Sequence, residues 1–85
     1  MGRLEKDKAR LRSIPRDYTY SEAKRLLLQL GFREYQKGRT SGSRVKFYRE
    51  KDQRVILLHR PHPGDEMGVG TVKDLAGFLR SLGEL

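Results

Sequence analysis

The chain contains no cysteine and no tryptophan, and its longest run of apolar residues is only four residues long, at 55–58. Without cysteine, neither a disulfide bond nor a thiolate metal site can form. A helix that spans a membrane needs about 20 consecutive apolar residues, so the sequence predicts no membrane segment. The first residues also lack the apolar core of a signal peptide. We therefore expect an intracellular protein, located in the cytoplasm.

Apolar residues are scarce in a chain that is already short. Only 35% of the 85 residues are hydrophobic, and a chain of this length buries about 60–65% of the surface that its unfolded form exposes. The composition therefore predicts one small domain with an economical core and modest stability.

Acidic residues are outnumbered, since 19 lysines and arginines against 11 aspartates and glutamates give a net charge of +8. The excess is local: residues 1–16 hold six basic and two acidic residues, and residues 33–60 hold nine basic and three acidic residues. Basic charge concentrated in parts of a chain favours a polyanionic partner such as a nucleic acid. The alternative is a solvated basic surface that only keeps the protein soluble.

Capping signals and apolar stripes predict two helices. The first is capped by Thr19 and Glu22, which form a Thr-x-x-Glu capping box, and it ends at Gly31. The second is capped by Thr71 and ends at Gly83. Their apolar residues recur every three or four positions; they are Ala23, Leu26, Leu27 and Leu30 in the first helix, and Val72, Leu75, Phe78, Leu79 and Leu82 in the second.

Three short strands are predicted between these helices. Residues 32–37 form the first strand, residues 44–50 alternate basic and apolar side chains, and residues 54–59 follow a short turn. The second and third strands are therefore predicted to be the two limbs of one hairpin.

The third predicted strand is apolar on both of its faces. Val55 and Leu57 point one way, while Ile56 and Leu58 point the other. Such a strand is expected to be central in its sheet, or to have its second face covered by another element or subunit.

The predicted order is thus helix, three antiparallel strands, helix. Two helices on one face of a three-stranded antiparallel sheet make an α+β fold, and double-stranded-RNA-binding domains (dsRBDs) share this α-β-β-β-α order. Residues 17–85 are predicted to form the domain, and residues 1–16 a basic N-terminal extension. Within the extension, Leu4 and Leu11 are spaced to share one face of a marginal helix.

Two histidines follow the aliphatic stretch of the third strand. His59 ends the strand, and His62 lies between two prolines. Because imidazole titrates near neutral pH, the pair can supply the base and the acid that cleave RNA through its own 2′-hydroxyl, with no metal and no cofactor. The alternative is that both side chains are merely polar and half exposed.

Four basic residues lie on the two limbs of the hairpin or close to them: Arg39, Arg44, Lys46 and Arg60. Cationic side chains bind phosphate oxygens and can stabilise charge that develops at phosphorus. We expect these four residues to contact RNA phosphates, together with Ser43, whose Ser-Gly-Ser turn offers amides and hydroxyls. The alternative is an ordinary solvated strand face.

Several of these motifs together resemble the HicA family, the small toxins (mRNA interferases) of bacterial toxin–antitoxin modules. The resemblance runs from about residue 19 to residue 82, and its motifs are Leu30-Gly31-Phe32, Gly42-Ser43, Pro61-His62 and Gly70-Thr71. It implies a dsRBD-like fold, cleavage of messenger RNA without a metal, and neutralisation by a cognate antitoxin of the HicB kind.

One position departs from the family pattern. In the family's usual Gly-Ser-His the histidine is catalytic, and here Arg44 occupies that position. An arginine cannot act as a base near neutral pH, because its pKa is far too high. Two alternatives follow: a divergent nuclease in which His59 or His62 takes the proton and Arg44 binds phosphate, or an RNA-binding relative that has lost cleavage.

A protein-interaction module is a function of a different class. The doubly apolar stretch at 55–58 would then mark a homodimer or antitoxin surface, and the +8 charge would match an acidic partner protein. Salt dependence separates the two classes. RNA binding through Z phosphates weakens with a slope of about −0.7Z for single strands, whereas a largely apolar interface barely responds to salt.

Overall fold

The computed structural model describes residues 2–35, 44–61 and 64–85. Within these ranges the elements are α1 (Arg3–Arg12), α2 (Tyr20–Gln29), β1 (Arg33–Tyr35), β2 (Arg44–Arg49), β3 (Arg54–His59) and α3 (Val69–Ser81). The predicted α+β fold with a three-stranded antiparallel sheet is confirmed. None of the helices in these ranges is long and apolar enough to cross a membrane.

Both ends of α2 form as the sequence predicts. The Thr19 hydroxyl accepts a hydrogen bond from the Glu22 amide, and the Glu22 carboxylate accepts one from the Thr19 amide, each at 3.1 Å. This is the reciprocal capping box. Gly31 ends the helix with a φ of 96°, a backbone conformation that glycine adopts without strain. The next amide, of Phe32, turns back to the carbonyl of Leu27 at 2.9 Å.

The predicted start of α3 at Thr71 is wrong. The helix begins at Val69, with Gly68 as its N-cap and no side-chain capping bond. The amide of Val72 already donates to the carbonyl of Gly68 at 3.0 Å, so the first turn closes before the threonine can cap it. The end of α3 agrees with the prediction, because Gly83 has a φ of 78°.

The sheet has the order β1-β2-β3, so β3 lies at an edge and not in the centre. Its side chains still alternate. Leu58 is buried, whereas Val55 and Leu57 are 42% and 56% exposed. The second apolar side of this strand therefore faces outward.

The helices pack against one face of the sheet. Val45 and Phe47 of β2 point into this core, and the rings of Tyr20 and Phe47 lie 6.4 Å apart. The alternation of basic and apolar residues along β2 therefore gives the strand one solvent-exposed face and one face that the helices cover, as predicted. The other buried hydrophobic residues of the core are Leu11, Tyr18, Ala23, Leu26, Leu27, Leu30, Phe32, Leu58, Met67, Val72, Leu75, Ala76 and Leu79.

The N-terminal extension forms a helix that packs against α2 and α3. Leu11 is fully buried, and Leu4 packs against the core. Asp7 is only 8% exposed, and its carboxylate accepts hydrogen bonds from Arg25 at 3.0 and 3.1 Å and from Gln29 at 2.6 Å. Although burial alone would raise the pKa of Asp7, these hydrogen bonds lower it below its ordinary value.

One arginine of β2 breaks the pattern of outward-facing cations. Arg49 is 3% exposed and points to the covered face. Its guanidinium donates to Asp52 at 2.7 and 3.0 Å, to Glu84 at 2.8 Å and to the carbonyl of Leu30 at 3.1 Å, and it lies 4.8 Å from the centroid of the Phe32 ring. A buried charge needs such partners, so Arg49 links the sheet to the C-terminal end of the chain.

Candidate nucleic-acid interface

The face of the sheet that points away from the helices is here called the open face. Residues paired on antiparallel strands project to the same side, and the strand register therefore arranges the outward side chains in three rows. The rows are Arg33–Tyr48–Val55, Tyr35–Lys46–Leu57 and Arg44–His59. Three of these eight positions are cationic, and none carries an acidic residue. The open face is therefore a basic surface with aromatic and aliphatic side chains between the charges.

The third row places the two chemically most informative residues beside each other. Arg44 begins β2, His59 ends β3, and the two are directly paired. Paired residues of antiparallel strands have Cβ atoms about 4.5–5.5 Å apart, and both residues are exposed. The imidazole of His59 thus projects next to the position at which the HicA resemblance expects a catalytic histidine.

The second row brings a cation over an aromatic ring. The Lys46 ammonium lies 5.1 Å from the centroid of the Tyr35 ring, within the distance of a cation–π contact. Tyr48 follows two residues along β2 and points to the same side. Tyr35, Lys46 and Tyr48 together line a depression of about 240 Å³. The sequence singled out Lys46 but neither tyrosine as a site residue. The alternation along β2 already puts Tyr48 on the same side as Lys46, whereas Tyr35 joins them only through the register of β1 on β2.

Arg60 does not share the open face with Arg44 and Lys46. Its guanidinium donates to Glu34 at 3.4 Å and lies 5.3 Å from the centroid of the Tyr20 ring. Tyr20 is buried at the start of α2. Arg60 therefore lies on the side of the sheet that the helices cover.

The other predicted site residues, Arg39, Ser43 and His62, lie outside the described residues. Their proposed roles stay predictions. Of the predicted set, the structure brings together Arg44, Lys46 and His59.

The comparison with protein families supplies the identification. The family described as the HicA toxin of bacterial toxin–antitoxin matches residues 20–83, which is most of the chain. The chain belongs to the HicA family. Neither the curated proteins nor the solved structures gave a match.

Membership of the HicA family makes this protein a toxin–antitoxin component and implies a cognate antitoxin as its partner. The match begins at Tyr20, the first residue of α2. It therefore includes the three strands and α3 but not α1, which packs on the matched region from outside it.

Proposed function

We propose that this HicA-family protein binds RNA on its open face and cleaves it with His59 as the general base. The observation that carries the proposal is the direct pairing of His59 with Arg44. The usual catalytic position holds a cation here, and the nearest strand supplies an imidazole beside it. Proton acceptance and phosphate binding are thereby divided between two neighbouring side chains.

The binding part of the proposal rests on charge. Arg44 and Lys46 project from a face whose eight described positions include no acid, in a protein of net charge +8. Such a surface attracts a polyanion and binds its phosphates through charge-assisted hydrogen bonds. We expect Arg44→Ala and Lys46→Ala each to lower the salt slope of RNA binding by about 0.7. Lys73→Ala removes an exposed cation from α3 and is the matched control.

The cleavage part follows the chemistry of RNA itself. The ribose 2′-oxygen attacks the adjacent phosphorus, its proton passes to the His59 imidazole, and the bond from phosphorus to the 5′-oxygen breaks. The products are a 2′,3′-cyclic phosphate and a 5′-hydroxyl, whose proton comes from a general acid. His62 is the candidate for that acid. Arg44 stabilises the negative charge that develops on the phosphate oxygens.

A cleavage assay on a messenger RNA in the presence of EDTA tests this proposal. We expect His59→Ala to slow cleavage about 10²–10⁴-fold, Lys73→Ala to leave it unchanged, and a 2′-deoxy nucleotide at the cleaved position to block it. If His59→Ala cleaved at the wild-type rate, the base would lie elsewhere. Intact RNA with a mobility shift that fades in salt would identify an RNA-binding relative that has lost cleavage.

The outward apolar side chains of β3 support a second role, in binding a protein. Val55 and Leu57 are exposed at a sheet edge, where a partner can cover them or add a strand. We propose that the antitoxin, of the HicB kind, or a second copy of the chain covers them. Leu57→Ser is expected to weaken such a complex equally at low and high salt. Binding that responds to salt but not to this substitution would contradict this role.

A further inference from the structure

The open face carries two tyrosines that contribute little to the core. Tyr35 is 43% exposed, and Tyr48 is half-buried. By contrast, Tyr18 and Tyr20 belong to the buried core. The two outward tyrosines lie on adjacent strands, and Lys46 is paired with Tyr35 and two residues from Tyr48.

The depression between these three side chains is small and open at the surface. Its volume of about 240 Å³ is below the ~300–1,000 Å³ of pockets that enclose drug-sized molecules. A planar group of one or two rings matches this size, and the tyrosine faces offer it a stacking surface. Because the Lys46 ammonium lies beside these rings, the site favours a planar group that is attached to an anion.

We propose that Tyr35 and Tyr48 stack against unpaired bases of single-stranded RNA, while Lys46 contacts the phosphate between them. This inference rests on the proposed RNA binding and names the class of RNA that the open face recognises. Aromatic side chains on an open sheet, alternating with cations, are a general solution for binding single strands, because every base offers a π-face. A duplex hides those faces inside its own base stack.

The position of the stacking site relative to Arg44 and His59 supports this substrate class. Lys46 and Arg44 are two residues apart on β2, which is a rise of about 6.6–6.8 Å along the strand. A nucleotide held at the Tyr35–Lys46–Tyr48 depression therefore has its neighbour in the chain within reach of the Arg44–His59 pair. The tyrosines are positioning residues in this scheme, because they fix the base and not the reacting atoms.

The absence of tryptophan from the chain provides a direct test. Tyrosine emission is then the intrinsic fluorescence, and stacking of a base on Tyr35 or Tyr48 quenches it. Three 2′-O-methyl oligonucleotides of equal length are titrated at fixed salt: a single strand with bases, an abasic single strand and a blunt duplex. None of them has the attacking hydroxyl, so cleavage does not interfere.

We expect the base-bearing single strand to quench the emission and to bind about 5- to 150-fold more tightly than the abasic strand, per stacked base. The duplex is expected to bind more weakly than the single strand. Tyr48→Leu and Tyr35→Leu should each lower this preference by the factor of one stacked base and leave both the salt slope and the abasic affinity unchanged. Tyr48→Phe, which keeps the ring, should retain the preference. Far-UV circular dichroism confirms that each variant is folded.

Two failures are distinguishable. If all three oligonucleotides bind equally and the leucine variants bind like the wild type, stacking is overturned while salt-dependent RNA binding stands. A duplex that binds more tightly than the single strand likewise overturns the inference alone. If no oligonucleotide binds at low salt, and unmodified messenger RNA does not bind either, the proposed function fails and the inference fails with it.

Discussion

The residue at position 44 determines which role we propose for His59. An arginine, unlike a histidine, cannot accept a proton near neutral pH, although its guanidinium can bind phosphate. Because His59 is paired with Arg44 on the neighbouring strand, an imidazole lies beside that position. In the proposed mechanism, His59 accepts the proton and Arg44 binds the phosphate, so the two roles are divided between neighbouring side chains.

Restoring a histidine at position 44 is therefore expected to rescue a protein that lacks His59. In the double variant Arg44→His/His59→Ala, an imidazole again projects from the end of the β2–β3 pair. We expect it to recover much of the about 10²–10⁴-fold loss caused by His59→Ala alone, measured as the rate of RNA cleavage. Arg44→Gln/His59→Ala, which has no imidazole in the pair, is the control. Equal activity of the two double variants would contradict the idea of a relocated base.

The sequence predicted those features of this site that do not depend on how β1 pairs with β2. The alternation along residues 44–50 correctly identified Arg44 and Lys46 as outward-facing, and the predicted hairpin brought His59 near them. Tyr35 could not be added, because its contact with Lys46 requires the pairing of β1 with β2. Arg60 follows β3 directly in the sequence, but its pairing with Glu34 lies on the covered side of the sheet.

The start of α2 is determined by local chemistry, and this is why the sequence predicted it correctly. Thr19→Ala removes the hydroxyl that accepts from the Glu22 amide. We expect this change to lower the free energy of unfolding by about 0.5–2 kcal/mol, seen as a lower urea midpoint with an unchanged slope. Thr19→Ser keeps the oxygen and should remain close to the wild type. A Thr19→Ala midpoint equal to that of the wild type would show that the capping bond contributes nothing to stability.

The helix α1 was harder to predict, because its stability comes from distant partners. The spacing of Leu4 and Leu11 indicated only a marginal helix. Asp7 meets Arg25, which is 18 residues away in the sequence, and Arg10 pairs with Glu22 and lies over the Tyr18 ring at 5.7 Å from its centroid. No local periodicity reveals such contacts. By comparison, the failed prediction at Thr71 was local, since a backbone bond had already closed the first turn of α3.

The substitution Asp7→Asn tests how strongly α1 is held. It keeps the shape of the side chain but replaces the charged carboxylate, which accepts hydrogen bonds from Arg25 and Gln29, with a neutral amide. We expect the free energy of unfolding to fall by about 1–2 kcal/mol in urea. Glu5→Gln alters an exposed acid of the same helix, whose pair with Lys8 is 4.0 Å long, and is expected to change stability by less than about 0.5 kcal/mol. Equal effects of the two substitutions would mean that the Asp7 contacts are not a special attachment of α1.

The stability of the whole molecule should depend on pH through the carboxylates that join α1 to α2. Hydrogen bonds from Arg10 lower the pKa of Glu22, against the effect of its partial burial. Burial raises the pKa of Asp7, but the hydrogen bonds from Arg25 and Gln29 outweigh this effect, and the pKa is lowered. A carboxyl whose pKa is lower in the folded than in the unfolded state binds its proton more tightly when unfolded. Its stabilising effect is therefore fully present at a pH above its pKa in the unfolded state, which is about 4. The effect is lost as the pH falls through its pKa in the folded state.

We accordingly expect the urea midpoint to be constant from about pH 6 to pH 5 and to fall steeply below about pH 4. Asp7→Asn should already be less stable at pH 6 and should lose less stability on acidification, because one of the carboxyls with a lowered pKa is gone. Glu5→Gln, by contrast, should follow the wild-type curve. If Asp7→Asn and the wild type lost stability in parallel below pH 4, the acid sensitivity would have to come from other groups. The Asp7 contact would then contribute nothing to the pH dependence of stability, and the Arg10–Glu22 pair would be the next group to test.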